Sequence, residues 1–457
     1  MPKLTKLVAL TSSLLLCSSL LSAANIDTKL IEQHLQTRVS EGSVGVGLVV
    51  AVVDGKQDKI IAVGKANKTN SMALNKSSLF EIGSISKTFT GLLLADMVIK
   101  GELNLDDPVS KYLPKGVSMP TRNDKQITLL HLATHTSGLP RLPTDFKPKD
   151  MTNPYADYSV DMMYDFLSNY HLPRDIGQTP EYSNLGVGLL GHVLALKAGK
   201  SYEDLVKERI LKILGMDNTT ITISAAQQKQ LTTGHDVSGN PTPHWDFPTL
   251  PGAGALRSSG ADMLIFLKAN MGLLDSPLAA AIDLTHKFQH SFGNDTLSIG
   301  LNWIIANTPA GDVIVHDGGT GGYRSFIGFN KTSNLGVVVL ANSQDAPDAI
   351  GQAVLTGKID SIKMVVTEEV TLSKQELTAL TGDYQLAPNF IITISEAGGR
   401  LFAQATGQQK LPIFAKSKNE FFYKAVKASF TFNKNKEGKV DSLVLHQNGN
   451  HPAKRID

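Results

Sequence analysis

The chain of 457 residues is poor in cysteine, with Cys17 as its only one. A chain without cysteine beyond this point has no disulfides and no thiol nucleophile, so it must rely on its core for stability. Aromatic residues make up 6% of the chain, but the hydrophobic fraction of 42% is ordinary for a globular protein. The length predicts two or three domains.

The chain also lacks a strong excess of either charge, with 44 basic and 42 acidic side chains. It begins with two lysines, an apolar segment at residues 7–21 and small residues at 22–24, which together predict a signal peptide over residues 1–24. A membrane anchor and a lipid on Cys17 are the alternatives, which the short apolar segment and the large Leu16 disfavour. We expect a periplasmic or secreted protein with no stable membrane insertion.

Removal of residues 1–24 removes Lys3 and Lys6 and no acid, which brings the formal net charge from +2 to zero. A chain with no net charge and no run of basic residues does not indicate nucleic-acid binding. We therefore look for chemistry on small molecules or peptides.

The first candidate for chemistry is the stretch 80–91, with Ser84 three residues before Lys87. An apolar period over residues 84–100 predicts a helix, which places both side chains on one face. A partly desolvated lysine can be neutral enough to take the proton of a serine hydroxyl, which makes the oxygen nucleophilic. A capped helix with a solvated lysine fits the same spacing, so partners elsewhere in the chain must decide.

Two further stretches carry such partners. Tyr182 and Asn184 lie one residue apart, and a glycine-rich run follows His316 and Asp317. A tyrosine near cations can have a lowered pKa and relay a proton, and an asparagine can hold a substrate amide. The glycines allow a close backbone approach, with N–H groups that stabilise an oxyanion. Packing, helix capping and a tight turn are the structural alternatives.

The pattern of elements predicts an α+β fold. An antiparallel sheet combines early strands at 44–53 and 59–64 with four late ones, is flanked by helices, and encloses a large helical insertion. In that insertion, residues 141–180 are a long segment, or excursion, between predicted helices, and we expect it to help form a binding site. Residues 251–260 are predicted to form a loop. The late strands are predicted at 298–305, 313–316, 325–330 and 335–341.

Beyond residue 370, seven or eight short β-rich runs predict a small antiparallel barrel. The resulting division is residues 25–369 for the first domain and 370–457 for the second. His131 and His135 lie four residues apart, but the glutamate of a zinc-protease helix is missing, so packing and hydrogen bonding are expected for both.

The three motifs, in this order, resemble those of the class C β-lactamase family of serine hydrolases, which also includes DD-peptidases and esterases. The tail is similar to a lipocalin-like domain that is often appended to such hydrolases. The resemblance covers about residues 30–345 and includes the stretches 80–84, 135–140, 214–216, 256–259 and 300–303.

The resemblance implies a role for each motif residue. Ser84 would be the acylated nucleophile, Lys87 would assist its deprotonation, and Tyr182 would pass protons to and from the leaving group. Asn184 would hold the substrate amide, and the backbone N–H groups of Ser84 and Gly319 would form the oxyanion hole. No metal or organic cofactor is implied.

The third motif departs from the Lys-Thr-Gly of these β-lactamases, since it has His316, Asp317 and Gly318. His316 and the glycines Gly318 and Gly319 would still contact the substrate. A histidine has an ordinary pKa of ~6.5, so we expect binding of anionic substrates to weaken from about pH 5.5 to 8. Asp317 would oppose such substrates if it faced the pocket, and Arg324 is either a compensating cation or an exposed surface residue. Tyr323 is expected to line the pocket.

We therefore expect a serine hydrolase that acts through an acyl-enzyme on β-lactams or related acyl amides. The alternatives are a DD-carboxypeptidase or D-amino-acid peptidase, a carboxylesterase, and a non-catalytic homologue that binds cell-wall fragments or has a regulatory role. The substrate would be a small molecule or a cell-wall peptide, and the oligomeric state is left open.

Overall fold

The computed structural model describes most of the chain after residue 25, and the fold is reported for that part alone. The predicted signal peptide, with Cys17, and a strand-like run at 363–366 lie outside the described residues. Those residues are 26–41, 46–55, 57–69, 72–344, 347–362, 369–387, 390–406, 410–423, 428–447 and 449–456.

An eight-stranded antiparallel sheet forms the centre of the first domain. The early hairpin turns at Gly55, where φ is +61°, and its first strand pairs with the last strand of the domain. The early and late strands thus share one sheet, as the sequence predicted. The α+β fold class is confirmed. In spatial order the strands are Gln57–Gly64, Gly47–Asp54, Leu335–Ala341, Arg324–Asn330, Val313–Gly319, Ile304–Ala306, Asn294–Ile299 and His290–Phe292.

Both faces of this sheet are covered, which explains why its central strands are almost continuously apolar. On strand Gly47–Asp54, Val49 and Ala51 face one core, whereas Val50 and Val52 face another. Helices Thr28–Glu41 and Pro347–Leu355 cover the second face. The first core is built on helices of the insertion, among them Ser86–Ile99, Asn184–Ala198 and Gly260–Asn270.

The insertion is mainly helical, but the predicted loop over residues 251–260 is wrong. Pro251–Gly254 forms a short helix, and Arg257–Ser259 forms a strand that pairs with Leu79–Glu81, just before Ser84. The remaining α-helices of the insertion are Leu129–Ala133, Val160–Asn169, Tyr202–Val206 and Ala279–Thr285. Helix Tyr202–Val206 continues through a π-helical turn, Lys207–Leu211, into a last helical turn, Lys212–Leu214.

The single strand predicted over residues 298–305 is also corrected, because the chain turns within it. Asn302 has φ of +63°, and its backbone N–H donates to the carbonyl of Ala133 at 3.0 Å. Trp303 is fully buried in the first core. Packing of this turn against the helices therefore outweighs the local β propensity.

The second domain is a closed antiparallel barrel, and the predicted number of strands is confirmed. Its last strand closes the barrel by pairing with the first, so that Tyr384 lies opposite Arg455. Side chains such as Tyr384, Phe421, Phe430 and Phe432 fill its interior. The strands are Gly382–Ala387, Phe390–Ala397, Arg400–Ala405, Leu411–Ala415, Glu420–Phe422, Ser429–Lys434, Val440–His446 and Asn450–Arg455, preceded by helix Lys374–Thr378.

Within the described part of the chain, no helix combines the length and apolar character that crossing a bilayer requires.

Candidate active site

Ser84 lies in a 3₁₀ turn, Gly83–Ile85, that runs directly into helix Ser86–Ile99. The α-helix thus begins two residues later than predicted. Gly83 has φ of +50°, and a Cβ there would lie 2.6 Å from the backbone nitrogen of Gly319. Only glycine satisfies both constraints, so Gly83 lets the turn Gly83–Ile85 approach the third motif closely.

Lys87 is fully buried and reaches back to the serine. Its Nζ lies 3.0 Å from Ser84 Oγ and donates to the carbonyl oxygen of Ala253 at 2.6 Å. Burial holds the pKa of Lys87 well below its usual value, the charge of Arg141 lowers it further, and Asp317 opposes the change. An amine with a lowered pKa has a lone pair available, so this arrangement can take the serine proton.

Tyr182 lies over the amine of Lys87, with 4.9 Å from Nζ to the ring centroid. The guanidinium of Arg141 lies 5.1 Å from the same centroid. Burial raises the pKa of Tyr182 and Asp317 adds to the rise, while a hydrogen bond with Ser84 and the charge of Arg141 oppose it. The expected lowered pKa is therefore wrong, and Tyr182 is a protonated phenol that can relay a proton.

The imidazole of His135 packs against the ring of Tyr182, with 4.6 Å between the ring centroids. The backbone N–H of Ser183 donates to His135 Nδ1 at 3.1 Å, which leaves this nitrogen unprotonated. His131 Nδ1 accepts from the backbone N–H of Thr128 at 3.1 Å, at the start of helix Leu129–Ala133. The predicted packing and hydrogen-bonding roles of both histidines are confirmed.

Asn184 is the first residue of helix Asn184–Ala198, and Ser183, not Asn184, caps that helix by accepting from the N–H of Gly186. The amide of Asn184 is thereby available for other contacts. Its Nδ2 donates to the hydroxyl of Tyr155 at 2.9 Å, and its buried Oδ1 has no partner among the described residues. That oxygen can accept a hydrogen bond from a substrate amide.

His316 is buried near the end of strand Val313–Gly319, and its Nδ1 donates to the carbonyl of Asp317 at 2.6 Å. Burial and the nearby Lys87 lower the pKa of His316 to about 3. The side chain is therefore uncharged from pH 5.5 to 8. Burial, which the sequence did not reveal, argues against the predicted titration of His316 in that range.

The glycines of the third motif pack against the turn that carries Ser84. A Cβ at Gly318 would collide with the carbonyl oxygen of Ile82, and Ser325 Oγ donates to the same oxygen at 2.8 Å. Together with the contact between Gly83 and Gly319, these interactions place the backbone of Gly319 beside Ser84. A site with two backbone N–H groups can stabilise an oxyanion.

Tyr323 does not line the pocket, and its prediction is wrong. Its ring is fully buried and its hydroxyl donates to the carbonyl of Thr232. Burial raises the pKa of Tyr323, so it stays protonated. Asp317 is half-buried and Arg324 is exposed, beside Gly319.

The structure adds residues that the motifs did not reveal. Arg141 follows directly on the predicted stretch 135–140, and Tyr155 lies in the excursion that was expected to shape a site. Trp245 lies against Gly321, where a Cβ would be 2.8 Å from its indole nitrogen. The contribution of Ala253 is a backbone carbonyl, for which a sequence gives no signal.

Residues 30–359 match the family described as "Beta-lactamase". The chain belongs to this family. It is a serine hydrolase, as predicted, and residues 367–454 match a second family, described as "Domain of unknown function (DUF3471)".

Similar proteins include both β-lactamases and a peptidase. The chain is 29% identical to a "Beta-lactamase" of Pseudomonas fluorescens over 329 residues, which are 65% of this chain and 88% of that protein. It is 27% identical to the "D-alanyl-D-alanine-carboxypeptidase/endopeptidase AmpH" of Escherichia coli K12, over 73% of this chain and 90% of that protein. A solved structure of "A class C beta-lactamase" superposes with a TM-score of 0.64 and 26% identity, covering 74% of this chain and 98% of that one.

Proposed function

We propose that the protein hydrolyses acyl amides or esters through an acyl-enzyme on Ser84. The observation that carries the proposal is the buried Lys87 amine at 3.0 Å from Ser84 Oγ. Lys87 takes the hydroxyl proton as Oγ attacks the substrate carbonyl. The backbone N–H groups of Ser84 and Gly319 hold the resulting oxyanion, and one such donor contributes roughly 3 kcal/mol in the transition state.

Tyr182 completes the proton path. The position of its ring over the Lys87 amine supports a relay to the leaving group. Water then attacks the acyl-enzyme, which frees Ser84 and releases the acid. Asn184 accepts a hydrogen bond from the substrate amide through its unpartnered Oδ1. We also propose that His316, Gly318 and Gly319 contact the substrate.

We propose β-lactams or related acyl amides as the substrate class, in line with the β-lactamases among the similar proteins. A D-alanyl peptide of the cell wall is the second candidate, supported by the similarity to AmpH. A simple ester would use the same nucleophile and oxyanion hole. These candidates differ in how fast the acyl-enzyme is hydrolysed.

Time-resolved intact mass spectrometry separates them. The protein is mixed with penicillin, a chromogenic cephalosporin, a D-alanyl-D-alanine peptide and a p-nitrophenyl ester. We expect a mass increase equal to the acyl group, lost again for the true substrate class. Ser84→Ala should abolish the adduct, whereas Ser86→Ala, which removes a buried hydroxyl two residues along the chain, should retain it. No adduct with any reagent would favour a non-catalytic homologue that binds wall fragments.

We further propose that residues 1–24 are a signal peptide, residues 25–369 the hydrolase domain and residues 370–457 a lipocalin-like domain of a periplasmic or secreted protein. The two family matches, 30–359 and 367–454, support the domain boundary. Because side chains fill the barrel, we expect no ligand cavity inside it. The mass of the exported protein should correspond to a chain that begins at Asn25, and a full-length mass would contradict the cleavage.

A further inference from the structure

Arg141, which follows the stretch 135–140, carries a positive charge close to the proposed nucleophile. Its side chain is exposed, and the guanidinium carbon lies 5.1 Å from the centroid of the Tyr182 ring. The amine of Lys87, which contacts Ser84 Oγ, lies 4.9 Å from the same centroid. The guanidinium and the amine therefore contact one ring, and this geometry places Arg141 at the cleft.

The backbone of Arg141 is fixed to the helix that carries Asn184. Its carbonyl oxygen accepts hydrogen bonds from the N–H of Asn184 at 2.9 Å and from the N–H of Leu185 at 3.2 Å. Both donors lie in the first turn of helix Asn184–Ala198, where the N–H groups have no acceptor within the helix. The part of a substrate next to an amide held by Asn184 therefore lies within reach of the Arg141 side chain.

The charge of Arg141 is not neutralised by any ion pair within the described part of the chain. Glu181, which precedes Tyr182, forms its ion pair with Arg174 instead. The face of an aromatic ring holds a guanidinium in position and leaves its charge in place. Arg141 therefore offers a fixed cation, whose planar fork of N–H donors matches the two oxygens of a carboxylate.

The acid of the third motif lies on the opposite face of the sheet. Along strand Val313–Gly319, Val315 packs in the core that helix Pro347–Leu355 covers, and alternation places Asp317 on the same face. The residue opposite Asp317 on the neighbouring strand, Phe326, belongs to that core as well. Asp317 therefore does not face a substrate carboxylate in the cleft.

We propose that Arg141 is a specificity-determining residue, which binds a carboxylate on the acyl part of the substrate, beyond the amide that Asn184 holds. The inference rests on the proposed function, whose substrate class it narrows to acyl amides or esters that carry such an acid group. Hydrogen bonds between a guanidinium and a carboxylate are charge-assisted and often bidentate, so a neutral substrate of equal size loses them.

Three N-acylglycine p-nitrophenyl esters test the proposal. Their acyl groups have equal length and end in a carboxylate, a primary amide or a trimethylammonium group. In the native protein we expect kcat/KM to be highest for the carboxylate. Arg141→Gln should lower the carboxylate-to-amide ratio of kcat/KM about tenfold. Arg141→Lys should lower it only about threefold, because lysine keeps the charge but lacks the planar fork.

Arg400→Gln is the matched control. Arg400 is also exposed, and its guanidinium carbon lies 4.9 Å from the centroid of the Phe414 ring, but this pair belongs to the barrel. The control should leave the ratio unchanged. If Arg141→Gln lowers kcat/KM equally for all three esters, Arg141 acts on Tyr182 and not on the substrate, and the inference is overturned.

Binding measurements keep this inference separate from the proposed catalysis. N-acylglycine amides with the same three end groups are titrated calorimetrically into Ser84→Ala and into Ser84→Ala with Arg141→Gln, since these variants need no turnover. A loss of carboxylate preference of about tenfold in the dissociation constants supports the inference even if no acyl-enzyme ever forms. An unchanged preference overturns it, even if Ser84 is acylated as proposed.

Discussion

The hydroxyl of Tyr155 accepts a hydrogen bond from Asn184 Nδ2 at 2.9 Å. This bond orients the amide so that its unpartnered Oδ1 is available to a substrate. Tyr155→Phe should raise KM for an amide substrate about threefold to tenfold, since a neutral hydrogen bond contributes about 1 kcal/mol. Steady-state kinetics should show a smaller change in kcat. A variant with native KM would show that Asn184 needs no such support.

Lys87→Met should reduce kcat by about 10³-fold, because it removes the only amine in contact with Ser84 Oγ among the described residues. Stopped-flow acylation with a p-nitrophenyl ester measures the effect, and thermal unfolding checks that the variant folds. Lys100→Met is the matched control, since Lys100 lies at the exposed end of the same helix. If Lys87→Met is acylated at a rate within tenfold of the native rate, a group other than Lys87 acts as the general base.

His316→Gln should leave the pH profile of KM for an anionic ester unchanged in shape between pH 5.5 and 8. The reason is that a pKa of about 3 keeps His316 uncharged throughout that range. KM values at half-unit pH steps test this. If a transition near pH 6.5 exists in the native protein and disappears in the variant, His316 titrates there after all.

Gly83→Ala should lower kcat about 100-fold, because the new Cβ would push the backbone of Gly319 away from Ser84. Gly101→Ala provides the control for backbone strain. Gly101 also has a positive φ, of +70°, but a Cβ there meets nothing within 4 Å. Equal losses of activity in the two variants would mean that strain, not displacement of Gly319, causes the effect.

His286 should contribute to acid destabilisation of the first domain. Burial lowers its pKa from 6.5 to about 3, so the folded state holds it neutral while the unfolded state takes up a proton below pH 6.5. The free energy of unfolding should therefore fall as pH drops from 6.5 towards 3. Its ring packs against Trp303 and Phe329, so His286→Phe keeps an aromatic ring there.

Urea unfolding at pH 7, 6, 5 and 4 measures this dependence. When it unfolds in this pH range, the native protein should take up about one proton more than His286→Phe takes up. Parallel pH profiles for the two proteins would show that His286 is charged in the folded state.

The sequence predicted the contact between Ser84 and Lys87 and most strands, because these depend on local spacing. Ser84 in the 3₁₀ turn and Lys87 in the first turn of helix Ser86–Ile99 are three residues apart, and strand Leu335–Ala341 has the predicted bounds. Tyr155 and Arg141 could not be predicted, since their positions depend on how a long excursion packs against Tyr182. The charge of His316 could not be predicted either, because its pKa depends on how deeply the side chain is buried in the folded protein.

The Ala253 carbonyl that holds the Lys87 amine lies 166 residues further along the chain. Gly319, which supplies the proposed second oxyanion donor, comes later still. An unfolded chain therefore has an ordinary serine and an ordinary, charged lysine. Nucleophilic reactivity at Ser84 should appear only once the late strands have docked, so covalent labelling of this serine would report on the last steps of folding.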